Sequence, residues 1–269
     1  MEYLLFRLYG PLASWGEIAV GESRHTATYP GKSALLGLLA AALGIRRDDE
    51  YRQLSLTAGY QFAVKVMSPG SLLRDYHTTQ VPDSVGKFNY RTRRDEVITG
   101  KDRLGTVLSS REYRCDALSL VAVRALEGAP YSLQELREAL LYPKFHLYLG
   151  RKACPLAAPL NPCVCSADGV GQALDEYRHG PLHVSQKLIR AAIKEVKTGH
   201  VSNASVLSGL SREDEYALYN TRQQVRYYWE GDAGDLKAQQ VLTRHDQPLS
   251  RSRWQFTQRM EHLLMKEAG

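Results

Sequence analysis

The chain has 269 residues, of which 43% are hydrophobic, and it carries a formal net charge of +6 with a pI of about 9.1. A chain of this size can bury a hydrophobic core as one elaborated domain or two small ones. Its longest apolar run, residues 34–43, is about half of the roughly 20 residues that cross a bilayer, which excludes a membrane-spanning helix. The excess of positive charge favours an acidic partner.

The N-terminus and the cysteines favour a cytoplasmic protein. The first residues, MEYLLFRLYG, include an acid and alternate like a strand, unlike a secretory signal. The cysteines fit reduced thiols better than a disulfide framework. Their spacing matches no zinc knuckle and prolines crowd the segment, so we predict neither a metal site nor a cofactor. The four thiols are Cys115, Cys154, Cys163 and Cys165.

A short strand, a long loop and an apolar helix open the chain. Residues 3–9 are predicted to form a core strand that ends at Gly10-Pro11. The polar loop that follows extends to about residue 30, and loops of this length in compact domains are usually functional or disordered. A helix is predicted over 31–43, with Gly44 at its end, and it is apolar on nearly every side, which indicates a core position.

The helix begins at Gly31-Lys32-Ser33, which resembles the end of a nucleotide-binding phosphate loop. Thr26 stands where that loop needs its first glycine, and no strand leads directly into the segment. A phosphate-loop NTPase is therefore disfavoured. A weaker interpretation remains, in which Lys32 and Ser33 at the helix N-terminus contact a phosphate of a nucleic acid. The alternative is that Lys32 is a solvated lysine at the helix end.

The middle of the chain predicts two hairpins. Two β-rich runs on either side of SPGS, within residues 59–81, indicate the first. Residues 80–114 are rich in Lys, Arg, Gly and Thr, and their arms FNYRTR and VLSSREYRC indicate a protruding basic β-hairpin. A solvated surface loop is the alternative for this segment.

The order of the remaining elements points to a fold class. A core strand over 116–126, a capped helix over 132–142 and a strand over 145–150 complete the order β-α-β-β-(insertion)-β-α-β. This order is close to the ferredoxin-like plan of RNA-recognition domains. We therefore predict an α+β, ferredoxin-like core. Beyond it lies a partly helical C-terminal extension with a helix over 186–197 and a basic, aromatic tail.

Aromatic and basic residues recur in the same segments, as in Arg74, Tyr76 and His77 or in the tail around Trp254. Unstacked RNA bases stack on aromatic rings while phosphates attract cations, so this pattern favours single-stranded RNA. Packing by tyrosine and solubility from arginine would give the same pattern. A metal-free RNase site made of Tyr76, His77 and Lys87 is a further alternative, although neighbouring residues on a strand face opposite sides.

Several segments together resemble the CasD family, the type I-E CRISPR Cascade subunit of the RAMP superfamily. These are the opening loop, RDYHTTQVP, REYRCDALSLVAV, LYLGRKACPLAAPL and the tail segment RHDQPL. The resemblance covers about residues 1–165 and the tail after residue 240, whereas about 166–238 match no pattern. It implies a ferredoxin-like core over 1–79 and 115–165, a β-hairpin thumb over 80–114 and a C-terminal extension over 166–269.

The resemblance also implies a function. CasD-like subunits hold the 5′ handle of the CRISPR RNA and adjoin CasC-like backbone subunits and the CasA-like large subunit, so that target DNA is met only through the complex. A separate endonuclease cuts the precursor in this type, which implies RNA binding without catalysis. In type I-C the corresponding subunit is itself the precursor-cutting nuclease, and this is the alternative. The predicted RNA-binding residues are Arg151, Lys152, Gly150, Arg24, Tyr76, His77, Arg93, Arg94, Lys32, Ser33 and Trp15.

Overall fold

The structure is a computed structural model that describes residues 1–19, 21–83, 89–98, 101–178 and 224–267, and its fold is α+β, as predicted. The elements of the first part are β1 (Glu2–Ala13), β2 (Trp15–Gly16), β3 (Ser23–Arg24), β4 (Thr26–Ala27), α1 (Lys32–Leu43), α2 (Glu50–Gly59), β5 (Tyr60–Ser68) and β6 (Ser71–Pro82). The elements of the second part are α3 (Arg93–Ile98), a 3₁₀ turn (Lys101–Arg103), β7 (Leu104–Ala125), α4 (Leu133–Leu141), β8 (Cys163–Ser166), α5 (Val170–Glu176), β9 (Val225–Trp229), β10 (Gln240–Ser250) and β11 (Gln255–Lys266).

One mostly antiparallel sheet organises the described part of the chain. Its strands lie in the order β10-β11-β9-β5-β7-β1-β8, and β6 and β3 also pair with β7. The long strand β7 is antiparallel to β1 on one side and to β5 on the other, while the short β3 lies parallel to it. No helix within the described ranges is long and apolar enough to cross a membrane.

Both faces of the sheet are buried. Because side chains alternate along a strand, Leu4 and Phe6 of β1 face one side while Tyr3 and Leu5 face the other. The first side packs under α1 and α4, and the second side, which includes Tyr227 and Trp229 of β9, packs under α5. Each face therefore has its own hydrophobic cluster.

The helices α1 and α4 confirm two predictions. Gly44 ends α1 in the left-handed conformation (φ 73°), and its N–H bonds to backbone carbonyls of the last turn. Ser132 caps α4 and shares a reciprocal capping box with Glu135. Both helices bury apolar side chains against the sheet.

A kink crosses three strands at one level. Pro11 lies opposite Asp116 in the β1–β7 register, and Gly70 lies opposite Asp116 on the other side. Asp116 and Gly70 both have positive φ values, 55° and 66°. The prediction that β1 ends at Gly10-Pro11 is wrong, because the strand continues to Ala13 and the missing N–H of proline is accommodated at this kink.

The predicted hairpin around SPGS has a different partner. The chain continues in the same direction through Pro69-Gly70, and β6 pairs with β7 rather than with β5, so β5 and β6 follow one another along the same edge of β7. The residues Ser71–Pro82 and Leu104–Cys115 form an antiparallel pair that we call the outer hairpin. Nearly all of β6 is exposed, which places this hairpin outside the core.

Other local predictions fail or lie outside the described residues. The segment FNYRTR is not a strand: its described residues are irregular up to α3, which starts at Arg93. The predicted strand over 145–150 is reduced to one bridge between Tyr148 and Pro155. The helix α2 and the strand β8 were not predicted. The helix predicted over 186–197 lies outside the described residues.

Candidate nucleic-acid interface

Three segments that are distant in sequence meet where the outer hairpin joins the core. The guanidinium of Arg151 lies 4.9 Å from the ring centre of Tyr113, and its Nη2 donates a hydrogen bond to the carbonyl oxygen of Arg24 (3.3 Å). Arg24 belongs to β3, whose backbone lies beside Ser110 and Arg111 of β7. The structure thus brings together two of the predicted RNA-binding residues, Arg24 and Arg151. We call this region the hairpin base.

Gly150 holds the Arg151 segment against the end of β1. Its φ is 84°, and a Cβ built on it would lie 1.8 Å from the carbonyl oxygen of Ser14. The N–H of Ser14 donates to the carbonyl of Leu149 (3.0 Å), which fixes the same approach. Gly150 is one of the predicted RNA-binding residues. In the structure its missing side chain admits the backbone of Ser14, so the glycine is required by internal packing.

A carboxylate organises the cations at the hairpin base. Glu112 is buried and accepts a hydrogen bond from Arg74 Nη2 (2.9 Å) and one from the N–H of Thr26 (3.3 Å), and His25 Nδ1 lies 3.3 Å away. The Arg74 guanidinium, assisted by His25, holds the pKa of Glu112 below its ordinary value. Glu112 therefore stays ionised at neutral pH and fixes the base of β6 against the opening loop. The sequence analysis missed this residue.

The two faces of the outer hairpin differ. Arg74 and Tyr76 share one face, since Arg74 pairs across the ladder with Glu112 and Tyr76 lies two residues further along. His77 is on the opposite face, where its Nε2 lies 2.5 Å from the carboxylate of Asp75. Tyr76 is 62% exposed. The RNase site imagined for Tyr76 and His77 is therefore not assembled, and its third member, Lys87, lies outside the described residues.

The tip of the hairpin is a separate region. Arg93 and Arg94 start α3, and Arg93 forms an ion pair of 2.6 Å with Glu96. Leu73 lies across from Tyr113, and Pro82 at the end of β6 is nine positions further along the strand. At about 3.4 Å per residue the end of β6 is roughly 30 Å from the base. Arg93 and Arg94 lie in the segment that connects β6 to β7, whereas Lys152 is exposed beside Arg151.

Lys32 and Ser33 have internal partners. Lys32 is only 6% exposed, its Nζ lies 2.9 Å from Glu230 Oε2, and its backbone N–H donates to Asp246 Oδ2 (2.7 Å). The carbonyl of Ser33 accepts a hydrogen bond from Arg251. The N-terminus of α1 therefore already holds a carboxylate. The phosphate contact predicted for Lys32 does not fit this arrangement, and neither does a solvated lysine.

The partners of Lys32 belong to a buried charge network. Arg259 lies 3.2 Å from Glu230, 2.6 Å from Asp246 and 2.6 Å from Glu261, so it joins three acids. Burial raises the pKa of Glu230, while the charges of Lys32 and Arg259 oppose that rise. This network ties α1 to the C-terminal strands β9, β10 and β11.

Trp15 lines a large open cleft from below. It is 5% exposed and is part of the main hydrophobic cluster, and its backbone N–H donates to Thr26 Oγ1 (2.8 Å). The cleft has a volume of about 1950 Å³ and lies between the opening loop, α1, the segment 145–148 and the β10–β11 turn. Trp15, Arg24, Ser33 and Gly150 all line it. The structure thus connects four predicted residues through one cleft, although Trp15 is chiefly a core residue.

No other chemistry stands out in the described ranges. They contain no group of three or more His, Cys, Asp or Glu side chains that could hold a metal ion. The four cysteines are free thiols, and burial raises the pKa values of Cys154, Cys163 and Cys165, which makes these thiols poor nucleophiles.

Comparison with known proteins identifies the family. The family described as CRISPR-associated protein (Cas_Cas5) matches residues 3–260. The CRISPR system Cascade subunit CasD of Escherichia coli strain K12 is 37% identical over 185 residues, which cover 65% of this chain and 76% of that protein. A solved structure of a CRISPR RNA-guided surveillance complex contains a chain with a TM-score of 0.57 and 24% identity, covering 99% of this chain and 90% of that chain. A crystal structure of a Cas protein gives a TM-score of 0.50 and 23% identity, covering 98% of this chain and 94% of that chain.

The two structural matches support the fold alone at these identities, whereas the family match spans nearly the whole chain. The relationship to CasD confirms the resemblance drawn from the sequence segments. This chain belongs to the Cas5 family of CRISPR-associated proteins.

Proposed function

We propose that the chain is an RNA-binding structural subunit of a type I-E Cascade surveillance complex and that it holds the 5′ handle of the CRISPR RNA. The relative from Escherichia coli is named as a Cascade subunit, and the family match covers residues 3–260. One observation carries the proposal furthest: Arg24, Arg151 and Tyr113 converge at the hairpin base although they are far apart in sequence.

The chemistry of the hairpin base suits single-stranded RNA. Arginine guanidinium groups bind phosphates and stack on bases, and exposed aromatic rings accept unstacked bases. Arg24, Lys152 and Tyr76 are exposed, so phosphates and bases can reach them. The proposed RNA path runs over the hairpin base and the face of the outer hairpin that carries Arg74 and Tyr76.

We also propose that the core is ferredoxin-like and that the outer hairpin is the thumb of this family. The element order β1-α1-β5-β7-α4-β8 and the strand order β5-β7-β1-β8 support the first part. The β6–β7 pairing supports a thumb that starts near Ser71 and ends near Cys115, rather than one confined to 80–114. Residues 166–269 would then be the C-terminal extension.

The partners follow from this role. The subunit would cap a backbone of CasC-like subunits and adjoin a CasA-like large subunit. Recognition of target DNA would come from base pairing by the RNA rather than from this chain. Arg93 and Arg94 at the hairpin tip are placed to contact a neighbouring subunit or the RNA beyond the handle.

Binding without cleavage is the test of this function. The purified chain is incubated with labelled repeat RNA in EDTA at two salt concentrations, and the products are run on native and denaturing gels. We expect a shifted but intact RNA whose affinity falls as salt rises, because phosphate binding releases counterions. Arg24→Ala and Arg151→Ala should weaken binding, whereas Arg137→Ala on α4 is the matched control.

The other functions predict different results. In the same gels, a discrete cleavage product that is absent with a His77→Ala preparation would favour the precursor endonuclease. In a separate nucleotide-binding assay with magnesium and no EDTA, binding that is lost with a folded Lys32→Ala preparation would favour an NTPase. The contacts of these residues favour neither the endonuclease nor the NTPase. Tyr76 and His77 lie on opposite faces of the outer hairpin, and Lys32 is paired with Glu230.

A further inference from the structure

The turn between β10 and β11 carries a second group of cations beside an exposed aromatic ring. Arg251 and Trp254 belong to this turn, and Arg47 belongs to the loop between α1 and α2. All three line the same cleft as Arg24 and Gly150 of the hairpin base. We call Arg47, Arg251 and Trp254 the turn cluster. The function proposed above does not use these residues.

Arg251 is a cation that has no acidic partner among the described residues. Its side chain is largely removed from water, and it donates a hydrogen bond to the carbonyl of Ser33. Within the described part of the chain it forms no ion pair with a carboxylate. Burial, together with the nearby charge of Arg47, lowers the pKa of Arg251 to about 10. Two neighbouring positive charges repel each other, and a bound anion would reduce this repulsion.

Trp254 has an unusual backbone and an unusual exposure. Its φ is 54°, which is rare for a residue with a bulky side chain, and such strain tends to persist at functional sites. The side chain is nevertheless 58% exposed, so the strain does not serve to bury the ring. The guanidinium of Arg47 lies 4.3 Å from the ring centre, and much of the ring surface remains accessible.

The nearby acids are already engaged elsewhere. Asp48 pairs with Arg46 (3.6 Å), and Asp49 caps α2 and pairs with Arg52 (3.8 Å). Hydrogen bonds from Ser250 and Ser252 lower the pKa of Glu50, which keeps it ionised. No described carboxylate forms an ion pair with Arg47. The turn cluster is therefore a cationic surface with a flat aromatic side chain at its centre.

This combination selects one class of ligand. A small inorganic anion needs cations but no ring, and the cleft of about 1950 Å³ exceeds the roughly 300–1,000 Å³ of sites for single small molecules. Single-stranded nucleic acid uses both features, because its phosphates bind guanidinium groups and its bases stack on aromatic rings.

We propose that the turn cluster is a second contact for single-stranded RNA, with a phosphate at Arg47 and Arg251 and a base stacked on Trp254. The cleft connects this contact to Arg24 at the hairpin base, so one RNA segment can reach both. The identity of the ligand as RNA rests on the function proposed above, whereas the binding surface rests on the turn cluster itself.

Tryptophan fluorescence of the full chain tests the proposal. Of the three tryptophans, Trp229 is buried and does not line the cleft, whereas Trp15 is buried and lines it, so the part of the quenching that Trp254→Phe removes reports on Trp254. A short oligouridine should quench the emission. Trp254→Phe should remove the quenching and keep the affinity within about twofold, since phenylalanine still stacks. Trp254→Ala should weaken binding roughly 5- to 150-fold, with the exposed Tyr142→Ala as control.

The salt dependence provides a second readout. Arg47→Ala should reduce the slope of log K against log salt by about 0.7, the value for one phosphate of a single strand, whereas Arg137→Ala should leave it unchanged. Wild-type affinity in Trp254→Ala, or quenching in Trp254→Phe that is undiminished relative to the wild type, overturns the proposal.

Repeat RNA, tested in parallel, separates this inference from the proposed function. If Arg151→Ala loses repeat RNA while the turn-cluster variants bind both RNAs normally, the turn cluster is not a contact and the handle-binding function stands. If oligouridine quenches Trp254 but the handle adds no affinity, the turn cluster stands and the handle-binding function fails. If the wild-type chain binds neither RNA, both are overturned.

Discussion

Lys32 Nζ and Glu230 Oε2 lie 2.9 Å apart, both side chains are less than a tenth exposed, and 198 residues separate them in the chain. This pair gives the lysine of the phosphate-loop-like sequence an internal partner. The lysine joins the start of α1 to the residue that follows β9. Its position also determines what a substitution at Lys32 would do.

Lys32→Met is expected to destabilise the fold rather than to abolish ligand binding. Loss of Lys32 leaves Glu230 with Arg259 as its remaining cation and its Oε2 without the lysine. Removing one partner of a buried ion pair costs at most about 3–5 kcal/mol here, which corresponds to a fall in Tm of up to roughly 6–20 °C for a chain of this size. Thermal unfolding followed by circular dichroism measures this. The exposed Lys152→Met is the control and should unfold like the wild type. An unchanged Tm in Lys32→Met together with lost RNA binding would contradict the buried-pair assignment.

Glu112 should make stability depend on pH in the acidic range. Arg74 holds its pKa below the ordinary value of 4.5 in the folded chain, so the unfolded chain takes up the proton more readily. The stabilisation is therefore complete at neutral pH and is lost as the pH falls below 4.5 through the pKa of the folded state. Urea unfolding at several pH values should show a difference between wild type and Glu112→Gln that shrinks with acidification. A difference that grows with acidification would refute this assignment.

Gly150→Ala should disturb the hairpin base more than an equivalent change elsewhere. The new Cβ would collide with the carbonyl of Ser14, and the residue has a φ of 84°. Gly128→Ala is the matched control, since its φ is 78° but nothing lies within 4 Å of the added Cβ. The control should lose only about 1–2 kcal/mol from backbone strain. Gly150→Ala should lose more and should also weaken RNA binding, because Arg151 follows directly. Equal losses in the two variants would argue against the close approach.

Tyr76 and His77 offer a test of which face of the outer hairpin meets RNA. Tyr76→Ala should weaken binding of repeat RNA by roughly 1–3 kcal/mol, the contribution of one stacked base. His77→Ala should have little effect, since His77 faces away from Arg74 and contacts Asp75. Filter binding with both variants measures this. A larger loss with His77→Ala would place the RNA on the opposite face.

The sequence was sufficient for elements whose signals are local. The apolar run of α1 with Gly44 after it, and the capping box at Ser132 and Glu135, predict both helices closely. The family resemblance came from short segments in the first 165 residues and the tail, and the family match bears it out. Arg24 and Arg151, which the sequence predicts to bind RNA, are in contact in the structure.

Features that depend on distant partners could not be predicted. The sequence predicts that β6 forms a local hairpin with β5. Its actual partner is β7, which lies further along the chain and is apparent only in the folded structure. Glu112 looks like any acid on a strand, since its role depends on Arg74 and on the opening loop. Lys32 begins a helix and follows a glycine, which indicates a phosphate site unless a carboxylate 198 residues later occupies the space. The strand β8, which pairs with β1, was not predicted because prolines crowd the segment before it.

The kink at Pro11, Asp116 and Gly70 has an implication for how this family can diversify. Asp116 separates the core half of β7 from its outer half, and Gly70 lies at the same level between β5 and β6, so two residues with left-handed backbone angles mark this level. Changes of length or charge in the outer half need not alter the packing of the inner half, provided that those two angles are kept. Hairpins could therefore be exchanged between relatives as interchangeable modules while the core continues to fold.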